Sequence, residues 1–314
     1  MLRCAVLDDY QDAAAGLADW SRVDLTVFRE HLDTEDEVAE ALAEFDVVVI
    51  MRERTPFPAS LIARLPRLKL LITSGMRNAS IDLKAAAAKG ITVCGTASSS
   101  TPPVELTWAL ILGLCRHVVP ENAAFRTAGA WQSTIGTDLA GATLGLLGLG
   151  KIGTRVAAIA KAFGMEVLAW SQNLTVERAE AVGAVLASSK EELLAGSDIV
   201  SIHLALSDRT RGLVDAAALA AMKPSALLVN TSRAAIVDTE AMIAALSAGR
   251  LAGAGLDVFD LEPLPLDHPL RTLPTVLATP HLGYVTRGNY FRYFTEAVED
   301  IDAFAAGEPV RVLG

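Results

Sequence analysis

Thr143-Leu144-Gly145-Leu146-Leu147-Gly148-Leu149-Gly150-Lys151-Ile152-Gly153 stands in mid-chain between apolar runs. It reads as strand, glycine turn, helix, and Gly148-x-Gly150-x-x-Gly153 has the spacing of a dinucleotide pyrophosphate site. Gly148 permits the tight turn. Gly150 carries no side chain to hold a phosphate away from the backbone, and Gly153 lets the helix lie close on the strand. The helix start offers unpaired N–H donors and a positive dipole end, so the backbone of Leu149, Lys151 and Ile152 joins the glycines as a candidate cofactor contact.

Outward from this turn the same alternation continues. Strands are predicted at Thr143–Leu147, Val167–Trp170, Ile199–His203, Leu227–Asn230, Gly255–Val258 and Val276–Ala278, with helices between them. Six such strands fit a doubly wound parallel sheet. Upstream, Leu2–Leu7, Leu25–Phe28, Val47–Ile50, Leu70–Thr73 and Thr92–Cys94 read as strands of a second α/β unit. Between the two lies Gly95-Thr96-Ala97-Ser98-Ser99-Ser100-Thr101-Pro102-Pro103, whose composition is that of a linker or hinge. Pro103 suits the first turn of an apolar helix over Val104–Val119. The amphipathic segment Asn289–Ala306 predicts a last helix with no partner in the middle unit, free to fold back on the first. The glycines from Gly249 to Gly255 lack the strand-turn-helix order and read as a turn entering a strand.

The 314 residues are enough for two domains, and 52% hydrophobic with 20% charged residues describes a globular chain. A net charge of −10 argues against nucleic acid and anionic membranes as partners. The densest apolar stretch, Trp108–Cys115, is closed by Arg116 and His117 and is too short to span a bilayer. The start of the chain meets Asp8 and Asp9 at once, unlike a signal peptide, so a cytoplasmic protein is expected. Cys4, Cys94 and Cys115 are widely spaced, without a CxxC pair, and read as buried thiols. No Cys/His cluster suggests a metal.

After the second middle strand, a strict NAD site has Asp or Glu to grip the adenosine ribose. This chain has Ser171-Gln172-Asn173, with no carboxylate and no adjacent arginine; Arg178 is several residues on. Ser171 and Gln172 are candidate cofactor contacts, and the choice between NAD and NADP is open.

Three further stretches lie past strand ends: Asn230-Thr231-Ser232-Arg233, then Leu256-Asp257-Val258-Phe259-Asp260-x-Glu262-Pro263, then Thr279-Pro280-His281-Leu282-Gly283. In this order after the glycine fingerprint, they resemble the signatures of the D-isomer-specific 2-hydroxyacid dehydrogenases, and the resemblance covers almost the whole chain. It implies a Rossmann nucleotide-binding domain over 101–283 and a discontinuous, flavodoxin-like substrate domain made of 1–100 with 284–314. It also implies a cleft between them that closes about Ser98–Pro103 and Leu282–Asn289, and a homodimer with Val104–Val119 and the Trp131 region as candidate contacts.

By the same resemblance His281 is the general acid/base of hydride exchange between a nicotinamide cofactor and a small D-2-hydroxy acid or 2-keto acid. Imidazole suits the task because its ordinary pKa lies near neutrality. Glu262 is its partner carboxylate, which orients the ring and compensates its charge. Arg233 is the substrate anchor, since a guanidinium grips a carboxylate in two-pronged fashion. Asp257 resembles the residue near the nicotinamide carboxamide, with Thr231, Ser232 and Gly283 as further cofactor contacts. In the first domain, Gly75-Met76-Arg77-Asn78 matches a loop whose backbone holds the substrate carboxylate, so Met76 and Arg77 are candidate substrate contacts, with Arg52 at the end of another strand. Arg77 stands where the family often has a second glycine, and Ala234 where glycine is common. Two rivals come with the resemblance. One is a nucleotide-sensing, corepressor-like binding protein. The other is formate oxidation, against which Glu262 speaks, because those enzymes pair the histidine with glutamine.

Overall fold

Apolar residues alternate face by face along the strands, so both faces of each sheet are covered. In the middle of the chain Ile199 and Val229 point into one cluster, while their neighbours Val200 and Leu228 point into the other. The computed structural model describes residues 1–314. It divides into one unit made of Met1–Ser99 with Val285–Gly314 and another made of Ser100–Tyr284. It is an α/β protein in which every strand-to-strand ladder is parallel.

The first unit holds β1 (Leu2–Val6), β2 (Val23–Val27), β3 (Val47–Ile50), β4 (Leu70–Thr73) and β5 (Thr92–Gly95), ordered β2-β1-β3-β4-β5. That is the flavodoxin-like doubly wound order. β2 begins at Val23, two residues earlier than its apolar pattern suggests, in register with Leu2. The last helix runs over Arg287–Ala305 and belongs to this unit. It buries Tyr290, Tyr293, Phe294, Ala297 and Ile301 on one face, with Phe294 against Trp20 at 6.2 Å between ring centroids.

The second unit holds β6 (Thr143–Leu147), β7 (Glu166–Trp170), β8 (Val185–Leu186), β9 (Ile199–Ile202), β10 (Leu227–Asn230), β11 (Gly253–Leu256) and β12 (Val276–Ala278). Their order is β12-β11-β10-β9-β6-β7-β8, so the winding reverses between β6 and β9. Such a reversal leaves a crevice outside the carboxyl ends of the strands. The sheet has seven strands where six were expected. The extra one, β8, is only two residues long and rests on Leu168 and Ala169 of β7.

Two more expectations are corrected. β11 covers 253–256 rather than 255–258, which places Asp257 just beyond the strand instead of within it. The glycines explain the shift: a Cβ on Gly255 would press on Leu110 and Leu114, and one on Gly253 would meet the Thr275 carbonyl at 2.9 Å. The turn lies earlier, at Gly249 with φ +65°, and leads into the strand as expected, while Gly253 and Gly255 serve close packing. The predicted helix over Val104–Val119 is two helices, Thr101–Cys115 and Val118–Arg126, parted at His117 with φ +48°. Pro120 dictates the break. In a continuous helix its ring would clash with the Arg116 carbonyl, whereas the first turn of a new helix tolerates it.

The helix Lys151–Ala162 buries Gly153, Val156, Ala157 and Ala160, a spacing that lays one face on the sheet. No helix is long and apolar enough to cross a membrane.

Candidate active site

The glycine turn after β6 has the shape its sequence demands. Gly148 sits at φ +102°, where a side chain is strained, and a Cβ there would come within 2.7 Å of the His203 carbonyl oxygen. A Cβ on Gly153 would collide with the carbonyl oxygen of Gly148. Gly150, the residue before the helix, faces open space. Two glycines therefore bring strand and helix together, and the third keeps room above the helix N-terminus. Leu149 is buried, and Lys151 is exposed at the helix start. This cradle fits a dinucleotide pyrophosphate.

Beside the cradle, the ends of β7 and of the loop after β9 enclose a pocket lined by Trp170, Ser171, Gln172, Asn173 and Arg209 among others. His203, at the foot of that loop, is partly buried and meets the Ser201 hydroxyl with Nε2 at 2.9 Å. Burial pushes its pKa down to about 4, so the ring is neutral.

Three neighbouring strand ends carry the other candidates. Past β10, the Asn230 side chain organises the turn: its Nδ2 donates to the Arg233 carbonyl at 3.0 Å, and its Oδ1 accepts from the Ser232 N–H at 3.0 Å. The Thr231 hydroxyl meets that of Thr107 at 2.8 Å, and the Ser232 hydroxyl donates to the Leu204 carbonyl. Arg233 is half-buried, with Nη1 donating to the Ser232 carbonyl at 2.8 Å.

Past β11, Asp257 is buried and gathers the exit of β12. Its Oδ1 accepts from the Thr279 hydroxyl at 2.6 Å and the Leu282 N–H at 2.7 Å, and its Oδ2 from the Gly283 N–H at 2.8 Å. A Cβ on Gly283 would come within 2.9 Å of that Oδ2. Burial raises the Asp257 carboxyl above its ordinary pKa, against the pull of these donors and of the nearby His281.

His281 therefore sits inside a loop pinned on both sides. Its backbone is left-handed at φ +53°, and its N–H donates to the Thr279 carbonyl at 2.9 Å. Its Nδ1 donates to Glu262 Oε2 at 2.6 Å, while Glu262 Oε1 accepts from the Phe259 N–H at 2.9 Å. Both side chains are partly exposed, at 18% for His281 and 24% for Glu262, enough for a reactant to reach the ring. Tyr284 packs edge-on to the imidazole at 5.4 Å. With Nδ1 committed to the carboxylate, Nε2 is the nitrogen left to exchange a proton. Arg233 stands past β10 and His281 past β12, with β11 between, so the strand ends that carry them are about 10 Å apart.

The remaining candidates belong to the first unit and are described within it. Arg52, past β3, has φ +58° and bonds Ser74 through its amide and through Nη1, and its Nε lies 3.6 Å from Glu53. Past β4, Gly75 at φ +93° donates to Thr96 Oγ1 at 3.1 Å, and a Cβ there would collide with the Arg52 guanidinium. Met76 and Arg77 follow, both exposed.

Sequence reasoning missed Arg209, Thr107, Thr279 and Tyr284. Thr279 and Tyr284 flank His281 closely enough to have been included with it. Arg209 comes from a loop 38 positions from Ser171 and is brought there only by the strand order.

A glycine-cradled nucleotide seat and an imidazole–carboxylate pair on one edge of a doubly wound sheet define an oxidoreductase that works with a bound dinucleotide. The comparisons name the family. Residues 108–283 match the model of the D-isomer specific 2-hydroxyacid dehydrogenase NAD binding domain. A glyoxylate reductase from Aeropyrum pernix is 41% identical over 79% of this chain and 76% of its own length. A D-3-phosphoglycerate dehydrogenase from Bacillus subtilis is 36% identical over 88% of this chain, but the match spans only 52% of that protein. The structure of a phosphoglycerate oxidoreductase from Vibrio cholerae O395 superposes with a TM-score of 0.93 at 40% identity, covering 98% of this chain and 100% of the other. The chain belongs to the D-isomer specific 2-hydroxyacid dehydrogenases, enzymes that work with NAD or NADP.

Proposed function

We propose that the chain interconverts small 2-keto acids and D-2-hydroxy acids, with His281 as general acid/base. The observation that carries this reading is the His281–Glu262 pair, 2.6 Å apart and partly open to solvent, on the sheet edge that also bears Arg233. The Ser100–Tyr284 unit binds the cofactor. Gly148, Leu149, Gly150, Lys151, Ile152 and Gly153 hold its pyrophosphate, Ser171 and Gln172 its ribose, and Thr231, Ser232, Asp257 and Gly283 the nicotinamide end.

The cofactor supplies or accepts the hydride at substrate C2. The chain's own residues do the rest. Arg233 binds the carboxylate and draws electron density toward the keto oxygen. His281 Nε2 gives a proton to that oxygen in reduction and takes it back in oxidation, so one hydride and one proton are added together. Glu262 keeps the ring in the tautomer that does this and balances its charge when protonated. Asp257 holds the peptide on the carboxyl side of His281 and so fixes where the ring lies.

Glyoxylate and hydroxypyruvate head the substrate range, the first because the Aeropyrum relative is named for it. A panel of 2-keto acids, followed by loss of nicotinamide fluorescence, tests the assignment. Turnover of a short member supports it, and nucleotide binding without turnover of any member overturns it in favour of a sensing protein.

The chain also pairs as a homodimer through the face that begins at Val118–Arg126. That helix buries none of its residues, and Phe125, Trp131 and Ile135 are 70%, 81% and 94% exposed. An apolar patch of this kind marks a contact surface.

A further inference from the structure

The pocket at the end of β7 carries a charge that the proposed reaction does not use. It has a volume of about 330 Å³. Trp170 forms part of its wall, Ser171, Gln172 and Asn173 supply hydroxyl and amide groups, and Arg209 reaches it from the loop after β9. No carboxylate lines it, and Arg209 is its one formal charge.

The position follows from the strand order. β6 lies between β9 and β7, so a loop leaving β9 passes the glycine turn to face the end of β7. The adenosine ribose of a dinucleotide falls there once its pyrophosphate is on the glycine cradle. The loop is internally tied: Ser207 N–H donates to Thr210 Oγ1 at 2.8 Å, Arg211 N–H to the Ser207 carbonyl at 2.9 Å, and Gly212 N–H to the Ala235 carbonyl at 2.8 Å. Arg209 is thus presented from a fixed turn, with its side chain exposed.

A carboxylate at the end of β7 would accept from the ribose 2′-hydroxyl and repel a 2′-phosphate. This pocket does the reverse. A guanidinium pairs with a phosphate through two N–H donors, and serine, glutamine and asparagine side chains donate to its remaining oxygens. We infer that the pocket receives the 2′-phosphate of NADPH, that Arg209 is its charge partner, and that the chain prefers NADPH to NADH. The inference deepens the dehydrogenase reading by naming its cofactor, and it rests on that reading only for the reaction, not for the binding.

Calorimetric titration with 2′,5′-ADP and with 5′-AMP reads the 2′-phosphate alone, without turnover, in wild type, R209A and R209E. The wild type is expected to bind 2′,5′-ADP about tenfold more tightly or better, with a gap that narrows as salt is added. R209E abolishes the gap and R209A reduces it, while both keep the 5′-AMP affinity of the wild type. Equal affinities in the wild type overturn the inference, and so does a preference that survives in both variants. If NADPH binds preferentially but no 2-keto acid oxidises it, the cofactor assignment stands and the dehydrogenase reading falls. If NADH alone supports turnover, the reverse holds.

Discussion

His281 donates from Nδ1 to Glu262 Oε2 across 2.6 Å, although the two residues leave different strands and the glutamate lies in a loop whose other oxygen is tied to the Phe259 amide. The carboxylate is thus anchored before it meets the ring. H281A should lower kcat for 2-keto acid reduction by about 10²–10⁴-fold, the range of a lost general acid, while nucleotide affinity stays near wild type. Steady-state kinetics beside a fluorescence titration check this, and wild-type turnover in H281A removes the acid/base role.

E262Q keeps the volume and one acceptor but loses the charge. A charge-assisted hydrogen bond is worth about 1.5–3 kcal/mol, so kcat should fall about 10- to 100-fold. Because Glu262 acts through the ring, the pH–rate profile should shift along with the rate. An unshifted profile with a lower rate means the substitution merely disturbed the loop.

R233A removes the proposed carboxylate anchor. KM for the 2-keto acid should rise about tenfold to a hundredfold, with cofactor affinity little changed. A variant whose defect appears only in cofactor binding shows that Arg233 serves the nucleotide instead.

The glycine turn separates two kinds of requirement. A Cβ on Gly153 strikes the Gly148 carbonyl, so G153A should lose about 1–3 kcal/mol of stability together with nucleotide affinity. A Cβ on Gly150 meets nothing, so G150A should stay within about 1 kcal/mol of wild type in stability yet bind nucleotide more weakly. Denaturant melts paired with nucleotide titrations distinguish them, and normal nucleotide binding in G150A would falsify the pyrophosphate placement.

His203 gives a pH signature. The folded ring titrates at about 4, below the ordinary 6.5, so between those values the unfolded chain binds more protons. Its contribution is intact above pH 6.5 and is lost as pH falls toward 4, by about 3 kcal/mol in all. H203Q should flatten that part of the stability–pH curve, and an unchanged slope would show that other groups produce it.

What the sequence conveyed, and what it withheld, divides along the range of the interactions. Short continuous apolar runs such as Val47–Ile50 and the buried spacing Gly153, Val156, Ala157, Ala160 are local and report two parallel α/β sheets directly. Arg233, Asp257, Glu262 and His281 stand out because polar residues just past apolar strands lie on the ligand-facing edge of such a sheet. β8 was invisible because two residues carry no period. The break at His117 was signalled by Pro120 but masked by the apolar run that ends at Cys115 and by Val118 and Val119 after His117. The limits of β11 depended on what lies against Gly253 and Gly255: Leu110 and Leu114 from a helix more than a hundred positions away, Leu227 and Val229 from β10, and the Thr275 carbonyl. Arg209 belongs to the same class: only the order of strands carries it to Ser171.

Asp257 also determines how the protein would fail on heating. β12 is three residues long and lies at the margin of its sheet, held on one side only. The bonds from Asp257 to Thr279, Leu282 and Gly283 are what clamp its exit. Fraying of that margin releases the imidazole while the interior strands remain paired. If the imidazole acts as proposed, heat inactivation should start as a local event before the cooperative melt, and turnover and circular dichroism followed through one heating ramp would check this.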